Sequence, residues 1–286
     1  MSFLSELEAF QKTHPFQNTN VNGIEANYLL CGNPDSKYTL VYLVGGTGLS
    51  VVWFHHILEM ESDYRILTFD YPMELETLEE VADFSVSLAE QLKLENLVFI
   101  GASLGGFIGQ LVARKHPDKV AGLGLFSTCS LSENSINDLK KQYRIYGPLY
   151  VMMKILPYSW LRKLFCNISK KQIGLEEERP EDKKYMEDLF EWVYSNYTRK
   201  FDLHMTGLII SVTSLTPITP AQFHEISDRT LLVLPKDDKA FSKKAQQDLR
   251  EMLPDAKLVR INGGHTATLY RVEEYVKATR EFLNNL

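Results

Sequence analysis

"FIGASLGGF", residues 99–107, decides how this chain is read. It joins an apolar run, "NLVFIG" (96–101), to a segment of helical period through a stretch in which only Leu104 is not small. Ser103 stands between Gly101 and Gly105, the Gly-x-Ser-x-Gly arrangement of a tight strand-to-helix turn. Such a turn strains the backbone, and flanking glycines remove the side chains that would clash. It points the hydroxyl outward at the carboxyl end of a strand, where open α/β sheets bind ligands. Glycines and serines also cluster in ordinary loops, so the pentapeptide gains meaning only from its surroundings.

Outward from that turn, strands and helices alternate. "FQNTNVNGIEANYLLCG" (16–32) reads as a hairpin joined at Asn22-Gly23, a dipeptide suited to a type I′ turn. "YTLVYLVGG" (38–46) is too continuously apolar for a one-faced strand and reads as a buried central strand ending in a Gly-rich loop. "YRILTFD" (64–70), "NLVFIGA" (96–102) and "VAGLGLFST" (120–128) read likewise. Val81, Phe84, Leu88 and Leu92 recur at helical spacing, and "FIGQLVARKHPDKV" (107–120) is helical up to Pro117. This order predicts an α/β fold with a mostly parallel central sheet and helices on both faces. From about Leu131 to Ser227 the chain is helical in period, rich in Tyr, Lys and Glu, and broken by prolines such as Pro148, Pro157 and Pro180. Alternation resumes with "RTLLVLP" (229–235), "SKKAQQDLREML" (242–253), "AKLVRIN" (256–262) and "VEEYVKATREFLNN" (272–285). The expected organisation is a core of residues 1–130 and 228–286 with a helical insertion at 131–227.

A hydroxyl is a poor nucleophile at neutral pH; it needs a base, and the base needs orienting. Asp237 and Asp238 in "PKDDKAF" follow one late strand, and His265 in "INGGHTATL" follows the next. Ser, Asp and His thus occur in that order, each just beyond a strand. A developing oxyanion needs donors. The Leu104 amide, at the start of the helix after Ser103, is one candidate. "LVGGTGLS" (43–50) supplies the other, the Gly46 amide with Thr47 as the alternative, since glycines admit a substrate oxygen close to the backbone.

Together "GASLGG" (101–106), "LVGGTG" (43–48), "PKDD" (235–238) and "GGH" (263–265) resemble the α/β-hydrolase superfamily over essentially the whole length. The family's acid commonly ends a Gly-x-x-Asp, which favours Asp238 over Asp237, with Pro235 in place of the glycine. Val44-Gly45 stands where many members have His-Gly, a change that leaves a backbone donor in place. The resemblance implies that the insertion is a helical cap, which roofs the site and selects substrates. It also implies a cofactor-independent, metal-free serine hydrolase with Ser103, His265 and Asp238 as a catalytic triad, Gly46 and Leu104 as oxyanion hole, and a small or medium acyl substrate, a carboxylic ester foremost. One alternative is an aminopeptidase of the proline-iminopeptidase kind, needing a cap carboxylate such as those of "GLEEERPEDKK" (174–184) to meet an amine. Another is a ligand-binding protein that retains the triad without turnover. A dehalogenase or epoxide hydrolase would normally carry Asp where this chain has Ser103.

Composition narrows the remaining classes. The chain has 286 residues, 44% apolar and 24% charged, with a net charge of -6, which offers no basic footprint for nucleic acid. Cys31, Cys129 and Cys166 are odd in number and lack disulfide or zinc-ligand spacing. "MSFLSELEAFQKTHPF" (1–16) reads as an amphipathic helix rather than a secretory leader. No run approaches the roughly 18 to 20 apolar residues of a membrane span, and a cytoplasmic location is expected. His55-His56 are adjacent and diverge on a helix, so solvent exposure or core packing explains them better than a metal. Asp70 is expected to hold a turn rather than serve as the acid. "GGTG" (45–48) lacks the Gly-Lys-Ser/Thr of a nucleotide cradle. "YVMMKILPYSWLRKLF" (150–165) suggests either an interfacial helix or, preferred, a cap helix with its apolar face on the pocket. Trp53, Phe54, Met152, Met153 and Trp160 are candidate pocket wall.

Overall fold

In the computed structural model, which describes residues 3–172 and 180–286, Asn22 and Gly23 take φ of 52° and 92°. Two positive φ values in sequence are what a type I′ turn requires. The turn joins β1 (Gln17–Val21) to β2 (Ile24–Gly32), after a first helix, α1 (Phe3–Thr13), that buries Phe3, Leu7 and Phe10. The sheet continues with β3 (Thr39–Leu43), β4 (Arg65–Phe69), β5 (Leu97–Ala102), β6 (Val120–Phe126), β7 (Thr230–Pro235) and β8 (Lys257–Ile261). Among the described residues its order is β1-β2-β4-β3-β5-β6-β7-β8, antiparallel only at β1/β2 and β2/β4. Every residue of β3, β5 and β7 is buried, which explains their continuous apolar runs.

The connections are α2 (Phe54–Met60), α3 (Leu78–Gln91), α4 (Leu104–Lys115), then α5 (Glu133–Gln142) to α10 after β6, and finally α11 (Lys243–Met252) and α12 (Val272–Leu283). Helix α3 starts at a capping box, Thr77 with Glu80. Between β6 and β7 the chain runs through α5, α6 (Tyr146–Ile155), α7 (Tyr158–Gln172), α8 (Pro180–Asn196), α9 (Arg199–Ser211) and α10 (Pro220–Phe223). The two ends of this stretch meet where Ile218 N–H donates to the Leu131 carbonyl at 2.8 Å. No helix among the described residues is long and apolar enough to cross a membrane.

Helix α4 lies very close to the strands beneath it. A Cβ on Gly101 would sit 2.1 Å from the Gly105 carbonyl oxygen, and one on Gly105 would sit 2.1 Å from that of Leu43. Backbone, unlike a flexible side chain, has little room to yield. Gly105→Ala is therefore expected to cost about 3 kcal/mol or to prevent folding. Gly207→Ala in α9, where an added Cβ meets nothing within 4 Å, should be neutral or stabilising by up to about 1 kcal/mol. Thermal unfolding of the two variants checks the contrast.

His56 of α2 is buried, and its Nε2 donates to the Thr268 carbonyl at 2.8 Å, tying α2 to the loop that carries His265. Burial lowers its pKa from the ordinary 6.5 to about 4, so the folded state resists a proton that the unfolded chain accepts. This contribution to stability is whole above about pH 6.5 and is lost as the pH falls toward 4, a change of about 3 kcal/mol. Denaturant unfolding across that range should show the fall, and His56→Gln should flatten it.

Candidate active site

Ser103 is the hinge between β5 and α4, with φ 53° and ψ -114°. Four hydrogen bonds hold that strained backbone. Its N–H donates to the Phe126 carbonyl at 3.0 Å, and its own carbonyl accepts from Gly106 N, Phe107 N and Thr128 Oγ1 at 2.9, 3.3 and 3.0 Å. The hydroxyl is left free to face the carboxyl ends of the strands.

His265 follows β8, and its Nε2 lies 2.9 Å from Ser103 Oγ. Its Nδ1 lies 3.1 Å from Asp238 Oδ2. A carboxylate only accepts, so Nδ1 carries the proton and Nε2 is left as acceptor for the serine hydroxyl. The Asp238 side chain is fully buried, and its Oδ1 accepts from Ala240 N at 2.7 Å and Phe241 N at 3.1 Å. The Phe241 ring packs edge-on against His265, 5.2 Å between centroids.

Asp237, the adjacent carboxylate, faces elsewhere. Its Oδ1 accepts from Gly263 N at 3.1 Å and Gly264 N at 3.0 Å, bracing the loop that presents His265. The sequence places both aspartates at one strand end, and the geometry separates them into one that meets the imidazole and one that clips its loop.

Gly46 and Leu104 border the same cavity as Ser103 and His265. Leu104 is the first residue of α4, where an N–H has no partner within the helix. The neighbouring Thr47 carbonyl accepts from Tyr197 Oη at 2.5 Å, which ties this loop to the turn between α8 and α9. The cavity measures about 320 Å³, and aromatic side chains make up part of its wall, among them Trp53, Tyr143, Phe190, Tyr194 and Tyr197. No Asp, Glu, Lys or Arg among the described residues lines it. Burial pushes the pKa values of Tyr143, Tyr194 and Tyr197 upward, so each remains a neutral phenol.

Several expectations about the wall need correcting. Only Trp53 of the five proposed residues lines the cavity. Phe54 and Met153 are buried in the interior, whereas Met152 and Trp160 are exposed. Helical period shows that a face exists but not which body it meets. The tyrosines that do line the cavity were visible as pairs three apart, Tyr143 with Tyr146 and Tyr194 with Tyr197. Glu176, Glu177 and Glu178 of the acidic run lie outside the described residues.

Other singled-out groups have partners of their own. Asp70 accepts from Ser50 N and Oγ at 2.9 and 2.7 Å and from Asn27 Nδ2 at 2.8 Å, fastening the turn after the Gly-rich loop to β2. His55 pairs with Glu6 at 3.2 Å, away from its neighbour His56. His14 just after α1, Cys31 in β2 and Glu61 just after α2 bring their ligand atoms within 4.8 Å of one another, a gathering that linear spacing cannot reveal. His14 Nε2 and Glu61 already satisfy each other at 2.8 Å, and burial pushes the Cys31 thiol up to about 12. A larger surface cleft of about 710 Å³, lined by Glu6, His55, Glu59 and Arg271 among others, has no serine or cysteine among its described lining residues.

Known proteins resemble this chain throughout. RutD of Yersinia enterocolitica, provisionally named a carbamate hydrolase, is 22% identical over 258 residues, covering 85% of this chain and 86% of its own. Maspardin of Danio rerio is 26% identical over 249 residues, covering 85% of this chain and 73% of its own. The crystal structure of an enol-lactonase from Burkholderia xenovorans superposes with a TM-score of 0.73 at 15% identity, over 94% of this chain and all 100% of that one. Residues 38–271 match the model of the α/β hydrolase fold, and the chain belongs to that family.

Proposed function

We propose that the protein is a serine hydrolase that cleaves small or medium acyl substrates, carboxylic esters foremost, through an acyl-enzyme intermediate. The observation that carries this reading is His265 bridging Ser103 Oγ at 2.9 Å and Asp238 Oδ2 at 3.1 Å. Ser103 Oγ attacks the carbonyl carbon while its proton passes to His265 Nε2. Asp238 keeps the imidazole in its tautomer and stabilises the imidazolium. The Leu104 and Gly46 amides hold the oxyanion, each such donor being worth about 2.7 to 4 kcal/mol in the transition state. The C–O bond then breaks, and the alcohol leaves with the proton from His265. Water, deprotonated by the same imidazole, attacks the acyl group and frees Ser103. No step draws on a cofactor or metal.

The helical segment 131–227 serves in this reading as the cap, since Tyr143, Phe190 and Tyr194 close over Ser103 from it. A cavity partly walled by aromatic side chains, with no Asp, Glu, Lys or Arg among its described lining residues, suits an uncharged acyl chain. The aminopeptidase alternative needs a carboxylate facing the substrate amine, and no described lining residue supplies one. The names of RutD and the enol-lactonase refer to carbamate and lactone carbonyls, chemistry in keeping with attack by a serine.

Short nitrophenyl esters and a fluorophosphonate probe test the proposal. Wild type should be labelled and turn the esters over; Ser103→Ala should lose labelling and fall by about 10⁴-fold or more in kcat. Equal labelling of both would overturn the assignment. The two aspartates should separate by readout. Asp238→Asn should lower kcat by about 10⁴-fold with the fold intact. Asp237→Asn should instead lower Tm, through its lost loop bonds, with a much smaller loss of kcat.

A further inference from the structure

The apolar residues exposed on this protein are concentrated in one place. Of nine exposed large hydrophobic side chains among the described residues, seven lie between Ile145 and Ile168, on α6, α7 and the turn that leads into α6. Ile155 is 74% exposed, Ile145 69% and Trp160 54%. Trp160, Leu164 and Ile168 follow one another at four-residue spacing, so they form one ridge along α7. The opposite sides of the helices are occupied. Met153 meets Thr206 of α9, and Ser169 and Lys170 of α7 bond Tyr194 and Glu191 of α8. The exposed ridges therefore face away from the body of the protein.

Charge is segregated onto the same stretch. Residues 139–175 contain eight lysines and arginines and not one aspartate or glutamate. The whole chain carries -6, so the remainder carries -14 against the +8 of this segment. Lys154 and Lys163, which flank the exposed Ile155 and Trp160, have no carboxylate partner among the described residues. Lys154 instead lies over the Tyr150 ring, 4.4 Å from its centroid.

We propose that the α6–α7 face is a docking surface for an anionic phospholipid bilayer. Aliphatic side chains and a tryptophan enter the boundary between headgroups and acyl chains, while the lysines meet lipid phosphates and carboxylates. A second copy of this chain is a poorer occupant, because it would set the unpaired Lys154 and Lys163 against the same two lysines. The surface goes beyond the proposed hydrolysis, yet it bears on it. Tyr146 and Ser169 of these two helices line the cavity above Ser103, so docking brings that cavity up to the lipid.

Co-sedimentation of the full chain with phosphatidylserine-containing vesicles, compared with phosphatidylcholine vesicles, tests this without any substrate. Wild type should pellet with the anionic vesicles, far less with the neutral ones, and be released by high salt. Lys154→Glu with Lys163→Glu should weaken partitioning at least about tenfold, and so should Ile155→Ser with Trp160→Ser. An unchanged Tm shows that each variant is folded, as substitutions at exposed positions permit. Wild type remaining in the supernatant, equal binding to both vesicle types, or variants that bind like wild type would each overturn the proposal. So would light scattering that finds a dimer undone by Trp160→Ser, which assigns the face to a second copy. Inactivity toward esters would leave vesicle binding untouched, so the two proposals fail separately.

Discussion

The closeness of α4 to the sheet is the constraint on which the rest depends. Gly101 and Gly105 let the helix backbone touch the backbones of β3 and β5, and nothing larger fits at either position. That contact leaves the connecting residue no extended or right-handed option, so Ser103 is held at positive φ. Strain of this kind persists only where the surroundings over-determine it. Here the Phe126 carbonyl, the first turn of α4 and Thr128 all fix the same residue. The position of the proposed nucleophile is thus set by packing beneath it rather than by the groups it faces.

The proposed base and acid depend on the sheet in a different way. They sit on loops, which are ordinarily the mobile part of a fold. Each loop is tied back: Asp237 to the two glycine amides before His265, His56 to the Thr268 carbonyl after it, and Asp238 to the amides of Ala240 and Phe241. The histidine loop is held on both sides of the residue it presents. Two adjacent aspartates can therefore do unlike work, because the backbone turns their side chains to opposite partners.

How much of this was legible in the sequence followed from the physics of each part. Buried parallel strands write themselves as unbroken apolar runs, so β3 to β7 could be found in order. The elbow was legible because glycine is the only residue that tolerates its close contacts, and the order of Ser103, Asp238 and His265 because each follows a strand. The preference for Asp238 came from a family pattern; spacing alone did not separate it from Asp237. Legibility ended in the helical segment. Period locates a helix face but says nothing about its neighbour, so Trp160 and Met152 were expected to wall the cavity and instead face solvent. The lysines around them, spread over 37 residues, become a surface only when the helices fold side by side. The His14, Cys31 and Glu61 cluster was hidden for the same reason, its members being brought together by tertiary contact alone.

The hydrogen bond from Tyr197 Oη to the Thr47 carbonyl has a mechanical meaning. Tyr197 belongs to the roof of the cavity and Thr47 to the loop that carries the Gly46 amide. Lifting the roof at that point breaks the bond and releases the peptide next to the proposed oxyanion donor. In the proposed reading, entry of a substrate and alignment of that donor become a single coordinate: opening the gate puts the donor out of adjustment, and closing it restores both at once.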